Sequence, residues 1–180
     1  MITQRTVVGA QAKFFKSGAA ITVPAAAVAS RTAKPGALDP LWLDCGISDW
    51  NIQNTSETKP FMAPLPGLRA LYDVTTISVG MKLKGKLMEL SNLSYQMLLS
   101  SASLPASPTA MGQFNPLGGD PVVRGWFKLQ QNDQFNTPLL TMDVFVAMKI
   151  PGDVQFGNAE VDVDVEAEVL WSTLNTATGT

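Results

Sequence analysis

Alternation with a period of two dominates the chain. From Ile77 to Leu87 the odd positions are Ile77, Val79, Met81, Leu83, Gly85 and Leu87, and the even ones are Ser78, Gly80, Lys82, Lys84 and Lys86. Successive strand side chains point to opposite faces, so this segment reads as a strand with one apolar and one cationic face. At a rise of about 3.3 Å per residue it extends roughly 36 Å, long for a globular strand. A second segment is cleaner still. Ala159, Val161, Val163, Val165, Ala167, Val169 and Trp171 line one face, while Glu160, Asp162, Asp164, Glu166 and Glu168 line the other. That row holds 5 of the chain's 15 acidic residues, and it exists only if the segment is extended, because a helix would scatter them around its circumference.

Between these two strands the pattern predicts a hairpin. Residues 122–130 and 140–150 are strand-like, with a polar turn over 131–138. Its apolar face is Leu140, Met142, Val144, Val146, Met148 and Ile150. Residues 6–15 and 41–53 are further strand candidates with less regular patterning. One segment, 88–100, has helical spacing instead, through Leu90, Leu93, Met97 and Leu98, with Ser91 as its N-cap. Residues 30–40, 54–67 and 100–121 are rich in Pro, Thr, Ala or Gly and read as loops. Long loops of this kind usually carry function or interaction. The expectation is a single domain over residues 1–180, all-β with one short α-helix. It has a loop region at 31–70 and a small, polar C-terminal arm at 173–180.

Composition narrows the function. The chain has 180 residues, enough for one real hydrophobic core. A net charge of −2 and a pI near 5.0 give no basic footprint for holding nucleic acid by its phosphates. Charged residues are only 16%, so much of the surface is neutral or is buried by other subunits. The single Cys45 excludes an internal disulfide, and without His there is neither imidazole catalysis nor imidazole metal ligation. Met1 to Arg5 lack the start of a signal peptide, and the apolar stretch 19–29 is short and interrupted by Pro24. A soluble protein made in a cytoplasm, with no membrane insertion, is expected.

No catalytic residue, metal ligand or cofactor is assigned. Cys45 has no base to activate it and reads as a small buried residue. The acidic row does not suit a cation, because same-face carboxylates on a straight strand lie ~7 Å apart. Lys82, Lys84 and Lys86 lack the Gly-rich loop or interleaved aromatics of a phosphate or nucleic-acid site. Two readings of the rows remain. In one, the cationic and acidic strands are neighbours and form cross-strand ion pairs. In the other, a row faces a surface or cavity shared by several copies. Three lysines against five carboxylates leave at least two charges uncompensated, which favours the second reading for the acidic strand. A concave acidic wall repels a polyanion.

From Leu41 to Ile52, with Asp44, Gly46 and Asp49, the order of features resembles the tail tube (major tail) proteins of long-tailed bacteriophages. A polar loop follows, then Pro66-Gly67-Leu68-Arg69, a long strand with Thr75-Thr76, and a helix start at Glu89-Leu90-Ser91 with Ser94-Tyr95. The likeness in element order covers roughly residues 1–172, and its motifs are loose. The resemblance implies a β-sandwich or split barrel with a flanking helix, oligomerising into a β-walled hexameric ring. Rings stack into a hollow tube around a tape-measure protein, and phage DNA later passes through the lumen. It also implies tail-terminator and baseplate or tip proteins at the ends. Related tubes serve contractile and non-contractile tails, so a sheath is an optional partner. By position, 31–70 matches the segment that stacks rings and 173–180 an arm that reaches neighbours. An acidic lumen in such tubes agrees with Glu160 to Glu168, although the lysine row could share it. The place of action would be the virion tail, with assembly in the host cytoplasm. The alternatives are another virion component, such as a capsid decoration or tail-terminator protein, and a monomeric β-barrel binding a small apolar ligand.

Overall fold

The computed structural model describes residues 7–46, 48–65, 68–88, 92–100, 117, 119–135, 137–154 and 163–179. In chain order the elements are β1 (Val7–Lys16), β2 (Ala20–Thr22), β3 (Ala25–Val28), β4 (Leu43–Asp44), β5 (Ser48–Leu65) and β6 (Leu68–Leu87). They continue with α1 (Asn92–Leu98), β7 (Val123–Asp133), β8 (Pro138–Lys149), β9 (Val163–Val169) and β10 (Thr176–Gly179). The fold is mostly antiparallel β with one short helix.

Eight strands form one open sheet in the order β4-β1-β7-β8-β9-β6-β5, with β10 pairing β8 beside it. β4 and β5 stand at opposite ends of this order, yet only residues 45–47 join them. Gly46 makes that link possible through its positive φ of 70°, helped by the Asp44 side chain, which accepts from its N–H at 3.0 Å. The sheet is consequently curled. Trp50 on β5 meets Phe127 on β7, ring centroids 4.6 Å apart, although β8, β9 and β6 separate those strands in the ladder.

Both faces of the sheet are packed around β1, β7 and β8. On the concave face Phe14, Phe127 and Val144 lie in one cross-strand row. They join Ala12, Leu83, Leu87, Leu129, Val146, Met148, Val163 and Val165 in the larger core, which Leu93 and Met97 of α1 cover. On the opposite face Phe15, Trp126 and Phe145 form the next row and are covered by Ile21, Ala29 and Trp42. Trp126 stacks edge-on against Phe145 and donates its indole N–H to the Ser30 and Ala33 carbonyls at 2.9 and 3.0 Å. A buried indole with its polar group satisfied fixes the 30–42 segment on the sheet.

Three sequence expectations change. The loop expected over 31–70 divides in two: residues 31–42 pack against the sheet, whereas 54–65 lie within a regular strand. Among the described residues nothing covers either face of that outer stretch, so no hydrophobic alternation marks it, and Pro60 is tolerated because β5 is an edge strand there. The helix expected over 88–100 spans only Asn92–Leu98, and the Ser91 cap and Leu90 lie outside the described residues. The C-terminal arm at 173–180 does not project: Thr176–Gly179 pair with Leu140–Asp143 of β8 in the same chain.

Candidate functional site

β5 and β6 form a hairpin of 18 and 20 residues, registered from Ser48↔Leu87 out to Leu65↔Leu68. Its base belongs to the body, because β9 pairs β6 from Lys82 to Leu87. Beyond that, Leu68 to Met81 pair only with β5 among the described residues, a length of roughly 45 Å at 3.3 Å per residue. The two register shifts each insert one extra residue in β6, Ile77 and Tyr72, so β5 keeps strict alternation. Its even positions therefore stay on one face from Trp50 at the core to Met62 near the tip.

That face carries most of the hairpin's apolar side chains, interrupted by Asn54, Ser56, Thr58 and Thr76, and beyond Met81 it is exposed. Ile52 opposes Leu83, Ser56 opposes Val79, Pro60 opposes Val74 and Met62 opposes Leu71. Leu83 is fully buried, but Val79 is 80% exposed, and Ile52, Met62, Leu71, Val74 and Ile77 are all exposed as well. Apolar side chains of the core face thus continue out along the hairpin, interrupted by polar ones, and nothing among the described residues covers them. Tyr72 and Phe61 are exposed too. Scattered exposed apolar side chains are ordinary, whereas several gathered on one exposed face mark an interaction surface.

The charged rows predicted from alternation lie on the opposite face, and the structure makes them neighbours. Lys82 opposes Glu168, Lys84 opposes Glu166 and Lys86 opposes Asp164. Lys82 Nζ is 3.0 Å from Glu168 Oε1 and 3.6 Å from Glu166 Oε1. Its hydrogen bond to Glu168 and the charge of Glu166 raise the Lys82 pKa, and the same bond lowers that of Glu168. Rows continue outward on both sides, with Asp49 opposite Lys86 on β5 and Lys149 opposite Glu166 on β8. Glu160 and Asp162 lie outside the described residues. An open depression of about 360 Å³ is lined by Lys84, Asp164, Glu166, Gly85, Val165 and Pro151, a mixed-sign wall.

Cys45 is buried at the β4–β5 crossover, where its N–H donates to the Ala12 carbonyl at 2.9 Å. Burial, with a contribution from Asp44, pushes its thiol up to about 12, far from the thiolate a nucleophile needs. Two further features carried no sequence signal. Asp39, in the expected loop, is buried and accepts from the N–H groups of Thr22, Val23 and Leu41 at 2.7, 2.9 and 3.0 Å. Asp143 holds Lys34 at 2.7 Å, and Lys34 also donates to Thr176 Oγ1 at 3.2 Å, tying the 31–42 segment to β8 and β10. Both join residues far apart in sequence, where neither spacing nor periodicity can signal them.

A scan against protein-family models finds no match for this chain, and a search of curated proteins finds none either.

Proposed function

We propose that this chain is the structural subunit of a bacteriophage tail tube, assembling into stacked hexameric rings that form a conduit for DNA ejection. The observation that carries the reading is the β5–β6 hairpin, which among the described residues presents exposed Ile52, Met62, Leu71, Val74, Ile77 and Val79 on the face that continues from the subunit's own core. Covering such a face removes apolar area from water, and a neighbouring copy is the occupant the tube reading supplies. β5, the first strand of the hairpin, lies within residues 31–70, where the resemblance puts the ring-stacking segment.

The sheet edges support a head-to-tail arrangement. Among the described residues β5 has no partner along one backbone edge, and β4 pairs with Lys13 and Phe14 of β1 at the other. Unlike edges join heterologously, and heterologous contacts that close make rings. Joining them would extend the curled sheet into a continuous β wall and remove exposed edges that invite aggregation. Within each subunit the curled sheet and α1 then correspond to a split barrel with its flanking helix. The β6–β9 face is assigned to the lumen, where a tape-measure protein and then DNA would pass. Terminator and baseplate or tip proteins would meet the tube ends in the virion tail.

Negative-stain electron microscopy of the purified chain at high concentration tests the proposal. Hollow tubes or stacked rings support it. Closed rings that never stack favour a terminator-like virion component, and a monodisperse monomer favours the ligand-binding barrel.

A further inference from the structure

On the β5–β6–β9–β8 face, four carboxylates (Asp49, Asp164, Glu166, Glu168) share cross-strand rows with four ammonium groups (Lys82, Lys84, Lys86, Lys149). Among the described residues the formal charge of this patch is zero. Its geometry matters more than its sum. Lys82, Lys84 and Lys86 form one stripe along β6, and Asp164, Glu166 and Glu168 form the next along β9, with each lysine directly opposite one acid. Neighbouring strands lie ~4.8 Å apart, so the stripes repeat about every 10 Å. Fields of alternating sign cancel beyond about one repeat, and salt screens over a similar length of about 8–10 Å.

Three aligned lysines on an exposed strand are a footprint for a phosphate backbone, since each can replace a condensed counterion. Here a carboxylate stands opposite each lysine in register, and Lys82 is ion-paired with two of them. An uncompensated acidic wall would repel a polyanion at a distance, whereas on this face acids and lysines stand opposite one another.

We infer that Lys82, Lys84 and Lys86 form a latent polyanion-binding stripe, held masked by Asp164, Glu166 and Glu168, so that the face is silent toward nucleic acid. Its value as a non-adhesive conduit lining rests on the tube reading, whereas the masking is a property of one subunit and is tested on one.

The experiment is fluorescence anisotropy of a labelled duplex oligonucleotide with the soluble subunit at pH 7.5 and low salt. The wild type is expected not to bind. D164N/E166Q/E168Q keeps side-chain volume and removes the masking charges; it is expected to gain affinity by ~10-fold or more, with a log–log salt slope of up to about −2.7 for three phosphate contacts. Adding K82Q/K84Q/K86Q should abolish the gain. A matched control, E57Q/D73N/D153N, makes the same change in net charge at exposed sites elsewhere and should gain nothing. Circular dichroism and melting verify folding, and E166Q/E168Q serves if the triple variant does not fold. The inference is overturned if the wild type binds as well as the variant, if the folded variant fails to bind, or if the control binds equally. Failure to form tubes leaves these readings unchanged and bears on the tube proposal alone.

Discussion

Trp50 and Gly85 face each other across the β5–β6 ladder, and the indole occupies the space a β-carbon at Gly85 would need: an added Cβ would lie 2.6 Å from the ring. This contact seats the base of the projecting hairpin on the core, because Trp50 also packs against Phe127. Gly85→Ala is therefore an overpacking substitution, expected to cost about 1–3 kcal/mol in urea unfolding. Gly152→Ala meets nothing within 4 Å and should be close to neutral. Equal effects of the two would show that the Trp50 seat is not rigid.

Asp39 is expected to confer acid-sensitive stability. Burial alone pushes its pKa up, but the hydrogen bonds from the backbone N–H groups of Leu41, Val23 and Thr22 outweigh that and hold it below the ordinary 3.8. A carboxylate with a depressed folded pKa contributes stability that is full above the unfolded value and fades as pH falls through the folded one. In Asp39→Asn one oxygen becomes a donor facing donors, which should cost about 1–3 kcal/mol near neutral pH. The gap between wild type and variant should narrow below pH ~4. A gap independent of pH from 3 to 7 would contradict the role of the charge.

Asn175 stands in for a missing stretch of ladder between β9 and β10. Its Oδ1 accepts from the Phe145 N–H and its Nδ2 donates to the Leu170 carbonyl, both at 2.9 Å. Asn175→Ala should loosen β10, raising deuterium uptake of residues 176–179 while Trp126 and its surroundings stay protected. Unchanged uptake would mean that the β10 ladder and the Lys34 contact suffice alone.

What the sequence made legible follows from which surfaces are wet. β6 near the body and β9 are buried on one face and solvated on the other, so Leu83, Leu87, Val163 and Val165 alternate with charge and the strands read directly. β7 is covered on both faces, which buries Trp126 and Phe127 side by side and blurs the alternation. The outer part of β5 has the opposite problem: with nothing among the described residues on either face, Thr55 to Lys59 carry no pattern at all, and a strand reads as a loop. The charged rows were visible one strand at a time, but their adjacency depends on the β6–β9 register, which is set over more than 70 residues of intervening chain.

The hairpin itself gives a prediction about association. Val79 and Ile77 are exposed and make no core contact, so Ile77→Asp with Val79→Asp should leave subunit melting within about 0.5 kcal/mol of wild type. The same change should abolish self-association in sedimentation velocity. In wild-type assemblies the amides of 54–65 and 68–80 should gain protection over the free subunit. Normal assembly by the double variant would remove the hairpin from the interface.

The most direct test is to image wild type and the Ile77→Asp, Val79→Asp variant side by side by negative-stain electron microscopy over a concentration series. Hollow tubes or stacked rings for the wild type, and only single subunits for the variant, are the expected result. Single subunits for both proteins at every concentration would contradict assembly through the hairpin and with it the tube.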